Sequence, residues 1–465
     1  MLQRKVLKSL IEWKNRNHKC LIVKGQRQVG KTFILEYFGS TEYTNYVRLD
    51  MFKEPMARRI FEENQEIDSI IDAISLYKGS DIHPHDTLII LDEIQESTKA
   101  RSMLKYFSED GRYDVIASGS LLGVSDSRLG VYKGSPNKDM LPVGGEEHIT
   151  MYSLDFEEFL LATGVKQKDI DRVRRLLIER ERLSDVDVDV FSRRFHAFMV
   201  VGGMPEAVKG FLEGGMADAE RALGSIRETC INDINRYNRG VDVVKTQQCF
   251  ESIPDQLSNT NKRFTYSRID GGGSRSSGEK YMENLLWIMA AGYGNYCRSM
   301  TDLRRPVGRF IAKDVFKVYM SDTGMLMNMM GPESRTAIMM GDTAFDFGAV
   351  AENAVAEALM KSGHKLYYYR KTNGSDKMEL DMVIESDGLI VVEVKKGEHR
   401  SYPSLKKTLG NDNVKRRVIF EKGNVFTDEQ GIEHYPIFAS AFVFQEKGHD
   451  PIDQLMEGVI GDPYS

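Results

Sequence analysis

Gly25-Gln26-Arg27-Gln28-Val29-Gly30-Lys31-Thr32 is the stretch whose reading decides the fold of this chain. It satisfies G-x-x-x-x-G-K-[ST], a glycine loop whose backbone N–H groups cradle phosphates. Leu21-Ile22-Val23 precedes it and Phe33-Ile34-Leu35 follows it. That order predicts a buried strand, a tight loop and the first turn of a helix. Gly25 and Gly30 let the backbone turn and bring N–H groups up to an anion, and the positive helix end adds to the attraction. Residues Gly25 through Thr32, with Phe33, are therefore the expected ATP-binding segment. Lys31 is expected to reach the β- and γ-phosphates, and the Thr32 hydroxyl to hold Mg²⁺.

A second segment supports this reading. Thr87-Leu-Ile-Ile-Leu91 is a short apolar strand ending in Asp92-Glu93, the pattern called Walker B. Asp92 would hold Mg²⁺, and Glu93 would orient and deprotonate the attacking water. A further strand, Val115-Ile-Ala-Ser118, runs into Gly119-Ser120. Either Ser118 or Ser120 would read the γ-phosphate from its tip. ATP and Mg²⁺ are thus the expected ligand and cofactor, and Lys31 and Glu93 the catalytic residues of this half.

The rest of the composition narrows the class. With 465 residues, 41% hydrophobic and 28% charged, the chain is expected to form several soluble domains. No apolar run reaches the length of a membrane span, and the first residues lack the apolar stretch of a signal peptide. Cys20, Cys230, Cys249 and Cys297 are widely spaced and show no zinc pattern, which suits a reducing cytoplasm. His83-Pro-His85-Asp86 reads as a loop. Net charge is −6, yet residues 260–320 hold 11 basic and 5 acidic residues, a local balance of 11 − 5 = +6. DNA is the candidate partner of such a segment.

Alternating strands and helices over residues 1–155 predict an α/β fold with a parallel sheet, that of a P-loop NTPase. The expected strands are Lys19–Val23, Tyr46–Leu49, Thr87–Leu91, Tyr113–Ala117 and Glu147–Tyr152. Residues 156–240 read as a helical lid. Residues 241–335 read as a winged-helix-like module, with a helix interrupted at Pro254, a second helix at Ser277–Ala290, and wing-like strands at Tyr293–Met300 and Phe316–Met320. Arg275 and Lys280 would offer the DNA contacts.

Residues 345–445 show a different order, α-β-β-β-α-β, followed by a tail at 446–465. Glu352 lies on the first helix, Asp381 on the second strand, and Glu393-Val-Lys395 on the third. This set resembles the PD-(D/E)XK nuclease core. Asp381 and Glu393 would converge on one or two divalent metals, with Glu352 as a third acid. Lys395, two residues after Glu393, falls on the same strand face, where it can activate water. Glu393 and Lys395 are the expected catalytic pair of this half.

Taken together, the chain resembles a large group of prokaryotic AAA+-type ATPases with a C-terminal region of unassigned function. Three stretches carry the resemblance beyond the loop. One is Leu141-Pro-Val-Gly with Tyr152-Ser-Leu-Asp-Phe156-Glu-Glu-Phe-Leu160. The others are Val201-Gly-Gly-Met-Pro-Glu-Ala207, and Phe316-Lys-Val-Tyr-Met-Ser-Asp322-Thr-Gly324 with the acidic block that follows. The resemblance implies ATP binding and hydrolysis. A second copy of the chain is a candidate partner, although no arginine stands in a clear position to serve a neighbour's nucleotide. Arg128, Arg193 and Arg194 are the candidates.

Overall fold

The computed structural model describes residues 2–16, 19–121, 145–238, 240–259, 262–269, 279–340, 347–371, 377–395, 397 and 401–444. Arg128, the 133–138 loop, Leu141-Pro-Val-Gly, the Gly271–Gly273 loop, Arg275, Ser276, Ser277 and the tail 446–465 lie outside the described residues. The chain divides into two compact units. One comprises Met1–Lys166, His196–Tyr296 and Asp314–Phe345; the other comprises Gln167–Phe195, Cys297–Lys313 and Asp346–Ser465.

The first unit is built on a five-stranded sheet. Its strands are β1 (Cys20–Gly25), β2 (Asn45–Asp50), β3 (Thr87–Asp92), β4 (Asp114–Ser120) and β5 (Glu146–Met151), in the order β2-β3-β4-β1-β5. Every pair is parallel, and all five strands lie within two or three residues of their predicted positions. All six residues of β3 are buried, as a central parallel strand covered on both faces requires. Helices Pro55–Glu63, Ile67–Lys78 and Thr98–Asp110 contribute Ile60, Phe61, Ile70, Ile74, Leu104 and Phe107 to one core with Leu49, Ile89, Leu91 and Val115. The strand order sets Gly25 beside Ser120 and Asp50 beside Asp92. Polar strand ends therefore gather at the carboxyl edge, where sheets of this kind bind ligands.

The helix Val241–Leu257 runs through Pro254 without the expected interruption. Pro254 lies in the last turn, so the missing N–H removes a single bond near the end of the ladder.

Asp322 ties together the three stretches singled out by the resemblance. It is 1% exposed. Its carboxylate accepts the Ser153 hydroxyl at 2.9 Å, the Gly203 N–H at 2.9 Å and the Met325 N–H at 3.2 Å. The last bond caps helix Thr323–Met330. Leu154 N–H closes the junction by donating to Gly203 O at 2.7 Å. Truncation to alanine would remove the shared acceptor of three buried donors, at about 1–3 kcal/mol each in the worst case. Asp322→Ala is therefore expected to lose about 3 kcal/mol or more of stability in urea denaturation, with Asp322→Asn intermediate. A loss below about 1 kcal/mol would show that the junction relaxes freely.

The second unit holds β8 (Leu366–Lys371), β9 (Met378–Glu385), β10 (Leu389–Val394), β11 (Val414–Glu421), β12 (Phe426–Thr427) and β13 (Glu433–Pro436), together with parts of β6 (Gly294–Met300) and β7 (Ile311–Met320). The sheet order is β12-β13-β11-β10-β9-β8-β6-β7. β8, β9 and β10 pair antiparallel, whereas β11 joins β10 in parallel. Helix Gly348–Lys361 precedes them. The helix expected at Tyr402–Leu409 is only Pro403–Lys406. Two differences have a common cause in edge pairing. Cys297–Met300, read as part of a wing, pairs in parallel with Leu366–Tyr369, and β13, unforeseen, pairs with β11. Each covers backbone groups that would otherwise form an open sheet edge.

Candidate functional site

The glycine loop begins where β1 meets the backbone of β5. A Cβ on Gly25 would lie 2.3 Å from Met151 O, so no larger residue fits without moving that strand. At the other end Gly30, at φ +90, starts helix Lys31–Glu42 from the left-handed region. Between them the Lys31 ammonium is buried and donates to Gly25 O and Gln26 O, both at 2.9 Å. Burial lowers its pKa to about 8, with Glu93 and Asp92 acting against the drop and Arg27 adding to it.

Asp92 is the centre of the site. The Thr32 hydroxyl donates to Asp92 Oδ2 at 3.0 Å. The Ser118 hydroxyl and the Glu93 N–H both donate to Oδ1, the latter at 3.2 Å. Arg48, from β2, brings Nε to 3.2 Å from Oδ2. Glu93 sits at φ 53, which turns the chain sharply away from β3, and its carboxylate accepts the Gln95 amide. Of the two serines, Ser118 is fully buried against Asp92, whereas Ser120 ends β4 alongside Gly25.

The remaining loop residues have partners of their own. Arg27 forms an ion pair with Asp233 at 3.0 Å and donates to the Tyr237 hydroxyl at 2.8 Å. The Tyr293 hydroxyl donates to the same Asp233 carboxylate at 2.7 Å. Gln26 accepts from Ser321, and Gln28 donates to Thr229. Val29 O accepts from Arg4, which also grips Tyr152 O and Glu158. Phe33 is 58% exposed. Sequence reasoning missed Arg4, Arg48, Asp233 and Tyr293. Of these only Arg48 left a signal, a lone arginine inside the apolar strand Tyr46-Val-Arg-Leu49.

This set fits a phosphate ligand with a divalent cation. A glycine loop entering its helix from a left-handed Gly30, a lysine inside it, and a hydroxyl and a carboxylate oxygen in contact supply hard oxygen donors and positive charge where such a ligand needs them.

In the second unit, Lys395 Nζ lies 2.9 Å from Glu393 Oε2. Asp381, on the adjacent antiparallel strand, accepts the Val394 N–H at 2.9 Å. Glu352 is buried on its helix. Lys395 loses some basicity to burial, but Glu393, Asp381 and Glu352 together hold its pKa above the ordinary lysine value. Burial pushes the Glu393 pKa up; Lys395 opposes this and Asp381 reinforces it. The four predicted residues thus share one electrostatic neighbourhood. Among the described residues, however, no group of three or more His, Cys, Asp or Glu side chains is arranged to hold a metal ion. The carboxylates of Glu393 and Asp381 are already engaged by Lys395 and the Val394 amide. The basic segment is also partly internal. Lys317 is fully buried, Arg305 pairs with Glu385 and Arg304 with Asp302. Arg193, one finger candidate, is exposed and pairs with Asp189.

Comparison with known proteins bears mainly on the first unit. Residues 17–160 match the AAA domain family. Residues 192–336 and 347–438 match two domains of unknown function, DUF8612 and DUF4143. No curated protein matches the chain. Among solved structures, a Walker-type ATPase of Pyrococcus abyssi is similar at 11% identity over 71% of this chain and 96% of that one, with a TM-score of 0.43. AMPPCP-bound DnaA from Aquifex aeolicus is similar at 11% identity over 61% and 86%, with a TM-score of 0.27. A STAND protein with a tetratricopeptide repeat sensor from Pyrococcus horikoshii is similar at 12% identity over 78% and 49%, with a TM-score of 0.24. No helix among the described residues is long and apolar enough to cross a membrane. The domain match, the five-stranded parallel sheet and the glycine loop at its carboxyl edge agree, and residues 17–160 are similar to the AAA domain family and have a P-loop fold.

Proposed function

We propose that the chain is a Mg²⁺-dependent ATPase that binds ATP on residues 25–33 and hydrolyses it with water activated by Glu93. The observation that supports this best is the Asp92 carboxylate, shared by the Thr32 and Ser118 hydroxyls. Lys31 neutralises the phosphates from inside the loop. Thr32 and Asp92 are the residues that would hold Mg²⁺, which when bound offsets charge on the β- and γ-phosphates. Ser118 holds the Asp92 carboxylate, and Ser120, which ends β4 beside Gly25, would read the γ-phosphate. Glu93 takes the proton of the attacking water. Phosphate release by purified protein tests the proposal. It should require Mg²⁺ and proceed through many turnovers. A single slow turnover would favour instead a nucleotide-gated switch whose second unit only binds a partner.

A second reading, that the second unit binds or cleaves DNA, is supported by the Lys395–Glu393 pair beside Asp381. Nicking of supercoiled plasmid with Mg²⁺ or Mn²⁺, with and without ATP, checks it. On this reading cleavage would occur in wild type and be lost in Lys395→Ala. Folded, ATP-binding protein that leaves the plasmid intact would reduce this unit to a binding platform.

A further inference from the structure

Arg48 is an unusual residue for its place. It sits near the end of β2, in a strand that is otherwise apolar on either side of it, and its side chain is 27% exposed. Its two Nη groups each donate to a different carboxylate, and Nε lies at ion-pair distance from a third without a hydrogen bond to it. Nη1 reaches Glu36 Oε1 at 2.9 Å, Nη2 reaches Asp50 Oδ2 at 2.9 Å, and Nε reaches Asp92 Oδ2 at 3.2 Å. The register pairs Asp50 directly with Asp92. Two like charges would thus stand side by side at the strand ends, and Arg48 offsets both. Asp50 is itself fixed, because Oδ1 accepts the N–H groups of Phe52 and Lys53 at 3.1 and 3.0 Å.

The oxygen that Arg48 touches is the one that accepts the Thr32 hydroxyl. A guanidinium and a divalent cation on one carboxylate oxygen repel each other. Only one of the three contacts has to be given up, since Glu36 and Asp50 keep the side chain in place. That combination makes a competitor rather than a plug: the group yields by a small motion and stays close enough to oppose the cation.

We infer that Arg48 competes with the divalent cation for Asp92 and so sets the Mg²⁺ concentration at which the nucleotide site loads. The inference rests on the reading of Thr32 and Asp92 as the residues that hold the cation. It adds a residue that tunes loading from an edge strand, outside both sequence motifs.

The test is equilibrium binding of a fluorescent, non-hydrolysable ATP analogue as a function of Mg²⁺, for wild type, Arg48→Gln and Asp92→Asn, each first checked for native circular dichroism. In Arg48→Gln the half-saturating Mg²⁺ concentration is expected to fall about tenfold, equivalent to about 1.4 kcal/mol. Analogue affinity at saturating Mg²⁺ should stay within about twofold of wild type. If Arg48→Gln does not fold, Arg48→Lys serves. It keeps a positive charge near Glu36, Asp50 and Asp92 but confines it to one ammonium that cannot face all three carboxylates, so a smaller shift in the same direction is expected. An unchanged or raised Mg²⁺ requirement in the arginine variants, with Mg²⁺ dependence lost in Asp92→Asn, overturns the inference and leaves the cation site standing. Weakened analogue binding at saturating Mg²⁺ also overturns it, since Arg48 would then be a phosphate contact. Mg²⁺ dependence that survives intact in Asp92→Asn overturns the cation site itself, and the inference with it.

Discussion

Lys31→Ala should weaken ATP binding by about 100-fold or more. The ammonium is enclosed by the Gly25–Thr32 loop and held there by two loop carbonyls. Charge-assisted bonds to phosphate contribute about 1.5–3 kcal/mol each, and Lys31 is placed to make more than one. Calorimetric titration with ATP measures the loss, and unchanged affinity would remove the loop from the nucleotide site. The wild type should also show a pH signature. Burial lowers the Lys31 pKa to about 8, and phosphates at the loop would raise it again. Binding then takes up a proton above pH 8, so affinity holds steady below that pH and declines as pH rises through it. The sign for the nucleotide-free fold is the reverse of the usual paired lysine. The folded pKa lies below the unfolded value of 10.5, so burial of this charge costs stability below pH 8, and the cost fades between pH 8 and 10.5. Affinity that is flat from pH 7 to 9 would contradict a half-titrated lysine.

Glu93→Gln should cut ATP turnover by about 10²- to 10³-fold, the range lost with a general base. Binding should survive, because Asp92, Thr32 and Lys31 form their contacts without the Glu93 carboxylate. The geometry sets Glu93 apart from Asp92. Its backbone lies at φ 53, outside the strand, and its carboxylate is steadied by Gln95 rather than by the Thr32–Ser118 network. A glutamine keeps the size and one acceptor but takes no proton from water. Steady-state phosphate release beside single-turnover binding separates the two effects. Equal turnover in both proteins would mean that Glu93 is not the base and would favour the slow switch. Loss of binding in step with turnover would make Glu93 part of the nucleotide cradle.

The two halves of the chain were legible to different degrees. In the first, five strands stood close to where pattern placed them: β1, β3 and β4 carry contiguous apolar runs, whereas β2 is broken by Arg48 and β5 is mostly polar. In the second, the acids and Lys395 could be found by their spacing, since residues two apart share a strand face. The use of those acids could not. That Asp381 accepts the Val394 amide depends on how β9 and β10 are registered, and the pairing of Cys297–Met300 with Leu366–Tyr369 joins stretches far apart in the chain.

What the sequence by itself determined is the strand, glycine loop and helix of residues 20–42 and the acidic strand end at Asp92-Glu93. Their requirements are local: a residue able to adopt φ +90 at Gly30, one without Cβ at Gly25, and a hydroxyl next to Lys31. Only the tertiary structure decided what surrounds Asp92. Arg48 reaches it from β2 and Ser118 from β4 because the sheet runs β2-β3-β4-β1-β5. The same is true of Asp322, whose partners Ser153 and Gly203 lie more than a hundred residues away in sequence. Strand order and long-range hydrogen bonds arise from burial of the whole core, and no window of neighbouring residues contains them.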